Sequence, residues 1–440
     1  MQPTINRREF ALLALAGLLA ACGGSDQSSG STPTDTEPTD TEPTDTEPNG
    51  GTSPTAPAPA GLALVEVSDR EPGGDPTLAG ASVTDFGYQL FESLAATATP
   101  DADVSISPMS VAIVLAMLEP GTVAAARDQL RSILAIDDPA AFHASMNGLE
   151  QALEARVPDD FGAEGDPGEI TMRLANAAFL QPGYPFEADY LDIVGRNYGA
   201  VLNELDFAAD PDAAVDVINA FVDDATEGRI TEPLAKGSIS PEVVLALVNT
   251  LFLTASWFDP FDESLTMPAP FTKLDGATSD IDMMLGAGTT SIAGDGWVGA
   301  TKDHVGRISS QFILPDPDRF DDVASRLADA FGELSTAAGP GGEFRMPRFE
   351  TRVNSMLTDP LRALGLEAIF EEGNLLGVAD DPRLKVDSVV HETFVAYDEE
   401  GVEAAAATIV LASTTSAPVE QPVPVTLDRP FFYRIVDQDT

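Results

Sequence analysis

The chain has 440 residues, enough for a substantial buried core, and is 43% hydrophobic with only 7% aromatics. Its 72 acidic residues against 23 basic ones leave a formal net charge of −49, which argues against nucleic acid as a partner, because phosphates call for Lys and Arg. An excess this large serves solvation and suits a salty milieu, where screening relieves self-repulsion.

The N-terminus reads as an address. Arg7 and Arg8 precede Phe10 and an apolar run to Ala21 that is too short to span a bilayer. The twin arginine resembles the export signal of folded proteins. Leu19, Ala20, Ala21 and Cys22 resemble a lipobox, which makes Cys22, the only cysteine of the chain, the expected site of lipid attachment. With one cysteine no disulfide can form within the chain. Residues 23–76 then read as a tether: TDTEP occurs in tandem from Thr34 to Pro48, followed by TSPTAPAPA. So few apolar side chains cannot offset ordering entropy, and Pro with like charge keeps the segment extended. The expected organisation is an export signal over 1–22, a tether over 23–76 and a globular domain over 77–440.

Within that domain, helical periodicity covers Ser82–Ala96 and Ser110–Leu118, the second opening after a Ser107 cap with Pro108 at an early helical position. Ala214–Glu227 is amphipathic, with Val215, Ile218, Phe221 and Val222 on one face and Gly228 as its stop. Val243–Thr254 is almost continuously apolar, the pattern of a central strand buried on both faces. Phe344–Val353 and Ser388–Tyr397 read as strands, and Thr358–Leu364 as a short helix. The class is α+β, with large mixed sheets and helices mainly in the N-terminal half.

Signs of catalysis are sparse. His143, His304 and His391 show no zinc-ligand spacing, there is no GxSxG elbow, and no glycine-rich phosphate loop. Neither a metal nor a cofactor is expected. The stretch DEEGVEAAAATIVLASTTSAP, from Asp398 to Pro418, is different in kind. Ala404 to Ala407 prefer helix yet run into Thr408, Ile409 and Val410, which prefer strand.

DVSISPMSVAIVLAMLEPGTVAAARDQL, LANAAFLQPGYPFEADYLDIVGRNYGA, VNTLFLTASWFDPF, FRMPRFE, VVHETFVAYDEEGVEAAAAT and DRPFFYRI stand in an order and at distances that resemble the serpins, from about Thr77 to Asp437. The resemblance implies the serpin fold: a large central mixed β-sheet, further sheets, and an exposed reactive-centre loop that enters the main sheet as an extra strand once cut. It makes Glu399, Glu400, Gly401, Val402, Glu403, Ala404, Ala405, Ala406, Ala407 and Thr408 the hinge of that loop. Small residues at alternate positions would slip between packed strands, and no proline from Val402 to Ser416 interrupts the ladder. Counting on from Gly401 by the usual family spacing puts the scissile bond between Thr415 and Ser416, with Leu411 as a fallback bait for a chymotrypsin-like enzyme. Small hydroxyl residues there suit a protease with a small or elastase-like primary pocket.

Other positions match mechanical parts of the family. Arg348 and Glu399 match the pair that pins the loop's entry. Ser107, Ser110, Asn249 and His391 match the cluster beneath the sheet, and Trp257 the tryptophan under the insertion point. Two departures stand out. Trp297–Ser310 lacks the apolar character usual there, so regular strand pairing is not expected. Family members also continue past PFFYRI into a last buried strand, so either the chain is truncated or that sheet is incomplete, exposing an apolar edge.

The implied function is irreversible inhibition of a serine, or cysteine, endopeptidase by a monomer held to the cell envelope through lipidated Cys22. A non-inhibitory serpin serving as a surface binding protein is the alternative. A hydrolase has only scattered carboxylates behind it.

Overall fold

The computed structural model describes residues 15–23, 62–99, 102–158, 168–402 and 422–440. Its helices are α1 (Thr77–Thr97), α2 (Pro108–Leu118), α3 (Ala124–Ile133), α4 (Pro139–Glu154), α5 (Ala188–Tyr198), α6 (Pro211–Ala225), α7 (Phe320–Ala324), α8 (Leu327–Thr336) and α9 (Thr358–Ala363). The main sheet consists of β1 (Leu15–Gly23), β2 (Ile170–Leu180), β3 (Val201–Glu204), β4 (Val243–Ser256), β11 (Phe349–Met356), β12 (Val386–Tyr397) and β13 (Gly401–Val402). A second sheet pairs β5 (Met267–Thr272), β6 (Thr278–Ala287), β10 (Glu343–Pro347) and β14 (Val425–Thr426). A third pairs β7 (Thr290–Gly294), β8 (Trp297–Asp303), β9 (Ile308–Pro315) and β15 (Phe432–Asp437).

Two apolar layers sandwich the main sheet. Leu174 and Leu180 of β2 and Leu245, Leu247 and Leu251 of β4 pack with α1, α2 and α4, whereas Phe179, Ala246 and Val248 pack on the other face with Val215, Ile218, Phe221 and Val222 of α6. Burial on both faces is why β4 is apolar at nearly every position. Helix α2 is buried along its whole length. It starts where it does because Ser107 caps it, accepting from Ser110 N, and Pro108 occupies its first turn.

The strand expected over Phe344–Val353 is two strands in two sheets: β10 pairs with β6 and β14, β11 with β12. Pro347 lacks the donor needed to continue a ladder, and Arg348 N turns to Asp282 O instead (2.9 Å). The irregular pairing expected over Trp297–Ser310 is also overturned. β8 pairs with β9 from Trp297↔Pro315 to Asp303↔Ser309 and with β7 on its other side. Main-chain ladders on both edges hold it, and its one buried ammonium, Lys302, donates to Asp259 O (2.6 Å) and Ala287 O (3.1 Å).

The folded body begins before Thr77, so the tether is shorter than expected. Leu64 bridges to Asn203, Val65 N donates to Leu202 O, and Arg70 pairs with the buried Glu150 (3.0 Å). Val65 and Val67 pack against the core beside these polar anchors. The N-terminal segment departs further from expectation. Leu15–Cys22, read as part of an export signal, and Gly23, the first residue of the expected tether, form a strand inside the main sheet.

At the other end of the chain, Asp437 is held by Arg156 through two hydrogen bonds of 2.6 Å. Among the described residues β15 pairs on one side only, with β9. Its other side, with α1, Pro108, Leu251 and Leu253, lines a cavity of about 690 Å³.

Candidate functional site

The site is built where β12 turns back towards the centre of the main sheet. Asp398 Oδ1 accepts from Glu400 N (2.9 Å) and Gly401 N (3.1 Å), the side-chain turn that Asp favours. Gly401 is required by close approach, since a Cβ there would lie 2.2 Å from Ala255 O. The chain leaves this turn as β13, with Val402 opposite Tyr397 of β12 and Ala255 of β4.

Glu399 anchors the turn. Its side chain is 3% exposed, against 47% for Arg348. Arg348 donates to it through Nε (3.0 Å) and Nη2 (2.6 Å), and Thr266 Oγ1 donates at 2.5 Å. Burial by itself would raise the Glu399 pKa, but the hydrogen bonds from Arg348 and Thr266 outweigh it and hold the carboxyl below its ordinary range. The main chain adds Phe261 N to Glu399 O (2.8 Å) and Trp257 N to Glu400 O (2.6 Å). Trp257 Nε1 donates to Asp398 O (3.0 Å), and its ring stacks between His304 (centroids 4.0 Å apart) and Tyr397 (5.6 Å). His304 bridges Ala255 O and Ser310 Oγ, and burial pushes its pKa down to about 3, so the ring is neutral.

Below the turn, β4 and β12 run parallel with β1 between them, antiparallel to both. Of the four residues expected to cluster here, three are joined. His391 Nε2 accepts from Ser107 N (2.9 Å), and Ser107 Oγ donates to Ser110 Oγ (3.1 Å). Asn249 is not in that group. Leu18 of β1 stands opposite both His391 and Asn249, and Asn249 Nδ2 instead donates to Asn176 Oδ1 (2.8 Å). From there Asn176 donates to Glu150 Oε2 (2.8 Å), which Arg70 also reaches (3.0 Å). Burial pushes the Glu150 carboxyl up to about 8. Tyr198 passes its carbonyl to Asn176 and its hydroxyl to His143, which meets Glu119.

Asn176, Glu150 and Arg70 were not anticipated. The signal for Asn176 is the one polar side chain within the run LANAAFL, and Asn249 with Thr250 likewise interrupts the apolar run VNTLFL. The remaining hinge residues Glu403, Ala404, Ala405, Ala406, Ala407 and Thr408, the fallback bait Leu411, and the scissile pair Thr415 and Ser416 lie outside the described residues.

Fold and site together define a protein whose main sheet holds an extra strand between two parallel ones, with a loop rooted at the mouth of that slot. The chain belongs to the serpin family: the family model for serpins (serine protease inhibitors) matches residues 81–440. Serpin A3-1 of Bos taurus is 30% identical over 386 residues, covering 86% of this chain and 90% of its own. The crystal structure of tengpin, a thermophilic serpin, superposes with a TM-score of 0.69 at 22% identity, covering 85% of this chain and 94% of that one. Human thyroxine-binding globulin, in complex with thyroxine, gives 0.71 at 21% identity, covering 83% and 95%. At these identities the two structures bear on the fold alone. Most of the family are protease inhibitors rather than enzymes.

Proposed function

We propose that the protein is an irreversible suicide-substrate inhibitor of serine endopeptidases, with cysteine endopeptidases as a secondary class, acting as a monomer lipid-anchored at the cell envelope through Cys22. The target's nucleophile attacks the Thr415 carbonyl carbon, an acyl bond forms, the bond to Ser416 breaks, and the new Ser416 amine takes the proton. The freed loop then extends the ladder begun at Gly401 and Val402, drags the acylated protease along the sheet and distorts its active site before water can reach the ester.

The observation that carries this reading is the rooted hinge. Glu399 and Gly401 fix the chain at the mouth of the slot with Val402 already paired to Tyr397 and Ala255, so in a chain whose slot is free insertion needs only to propagate. A second reading, a non-inhibitory binding protein, is favoured by one observation: β1 lies in the slot.

The test is incubation of protein recovered from the envelope with elastase, subtilisin and chymotrypsin. A complex that survives SDS, with a released fragment beginning at Ser416, supports inhibition. Clean cleavage by all three without complex favours the binding protein.

A further inference from the structure

We infer that residues 62–76 form a detachable latch, seated in a groove shaped for it by α4, α5 and β3, and that its seating is transmitted through buried side chains to Asn249 at the centre of β4. The latch stands whether or not the protein traps proteases.

The groove leaves room for this one occupant. Gly148 of α4 lies so close to Gly73 and Gly74 that a Cβ there would collide with Gly74 O, and a Cβ on Gly195 of α5 would collide with Val67. Val65 N donates to Leu202 O (3.0 Å) and Glu204 N to Ala63 O (2.8 Å), which makes the segment a short outer partner for β3. Glu71 N donates to Arg196 O (2.8 Å) and Gly74 N to Ala144 O (2.7 Å). Glu71 O in turn accepts from Asn147 Nδ2 (2.8 Å) and Gln151 Nε2 (3.0 Å). Yet no residue of 62–76 is fully buried, and its apolar contacts with the core are those of Leu62, Val65 and Val67. A segment held by exposed main-chain bonds and so little apolar area opens locally, without the body unfolding.

The link to the sheet is Arg70. It reaches Asn147 Oδ1 (2.9 Å), Glu150 Oε2 (3.0 Å) and Glu154 Oε2 (3.5 Å). Glu150 passes the contact to Asn176 of β2, and Asn176 passes it to Asn249 of β4. The Glu150 side chain is wholly enclosed, and its Oε1 has no hydrogen-bond partner among the described residues, so Arg70 and Asn176 are the donors that fix it. Lifting the latch removes one of the two and frees the carboxyl to move, which loosens the joint between α4, β2 and β4. A pull or a partner on the chain ahead of Leu62 thereby acts on the main sheet.

Hydrogen exchange on the full 440-residue chain tests this. In wild type the amides of Val65, Glu71 and Gly74 are expected to exchange by local opening, at least about tenfold faster than those of β4. Gly148→Ala improves the intrinsic preference of α4 for helix while placing a methyl where Gly74 lies. Arg70→Ala leaves the groove intact and removes the reach to Glu150. Both variants are expected to raise exchange over residues 174–180 and 245–251 by about tenfold, as for one lost charge-assisted hydrogen bond, with α4 and the third sheet as protected as in wild type. Gly148→Ala is also expected to release residues 63–74. Latch amides that exchange only together with the core, a latch still protected in Gly148→Ala, or faster exchange spread evenly into α4 and the third sheet would overturn the inference. Unchanged exchange of β2 and β4 in either variant would overturn it as well.

Discussion

Asn249 and His391 stand on the two strands that flank the slot, and each faces Leu18 of the intervening strand rather than the other. His391 is tied to α2 through Ser107, and Asn249 to β2 through Asn176. The two halves of the sheet are thus secured to different neighbours, which lets them part around a strand without either losing its own polar partner.

Replacing His391 with Ala removes the acceptor of the buried Ser107 N–H, at the cap of α2. An unsatisfied buried donor costs about 1–3 kcal/mol. The urea midpoint should fall with the slope unchanged. A midpoint equal to wild type would show that the cap does not depend on His391.

Arg348→Ala leaves Glu399 with Thr266 as its remaining side-chain donor. Because Glu399 titrates below its ordinary range, its stabilising contribution is complete above the unfolded glutamate range and is lost as the pH falls through the lower folded value. The variant should be less stable at neutral pH, and its stability should fall less than that of wild type as the pH drops through the glutamate range. Arg348 is half exposed, so the loss at neutral pH should be about 1–2 kcal/mol, less than for a fully buried pair. Superimposable stability profiles from pH 3 to 7 would rule this out.

Glu150→Gln tests the opposite sign. Glu150 holds its proton up to about 8 in the fold, while the unfolded chain releases it near 4.5. Its contribution is therefore present at acid pH and declines as the pH rises through that window. Thermal melts of the variant should be flatter than wild type between about pH 5 and 8, with a gain on the order of 1–3 kcal/mol at the alkaline end. A steeper decline in the variant would contradict the assignment.

If the inserted loop continues the ladder of Val402, Ala406→Glu would bring a carboxylate opposite Thr393 and Leu251, and a charge turned inward costs several kcal/mol unless paired. In processed protein the variant should be cut at the same bond as wild type but form little complex, because the acyl-enzyme hydrolyses before insertion ends. Cleaved wild type should melt well above intact protein. Equal melting points, or undiminished trapping by the variant, would leave the binding-protein reading in place.

Cys22→Ser should release the protein from membranes, since the thiol that would carry the lipid is gone. Stable anchoring takes two chains, so a diacyl mass shift on wild-type Cys22 is expected. Mass spectrometry that finds the mature Cys22 unmodified would end the anchor proposal.

What the sequence determined by itself is everything set by local pattern. The nearly continuous apolar run of Val243–Thr254 announces a strand buried on both faces, which the fold extends to Ser256, and Ser107 with Pro108 announces the start of α2. The ordered blocks were enough to name the family, and the Arg348–Glu399 pair was legible from them. The split at Pro347 is also written in the chain, since a proline cannot donate to a continuing ladder. What only the tertiary structure decided are pairings between distant segments: Arg70 on Glu150, Asn249 on Asn176, and Leu15–Gly23 between β4 and β12. A run such as LAGLLAACG satisfies a lipid-facing leader and a central strand equally well, because both ask for uncharged, apolar side chains. Which one it becomes depends on whether two parallel strands stand far enough apart to hydrogen-bond a third, and that spacing is a property of the closed sheet.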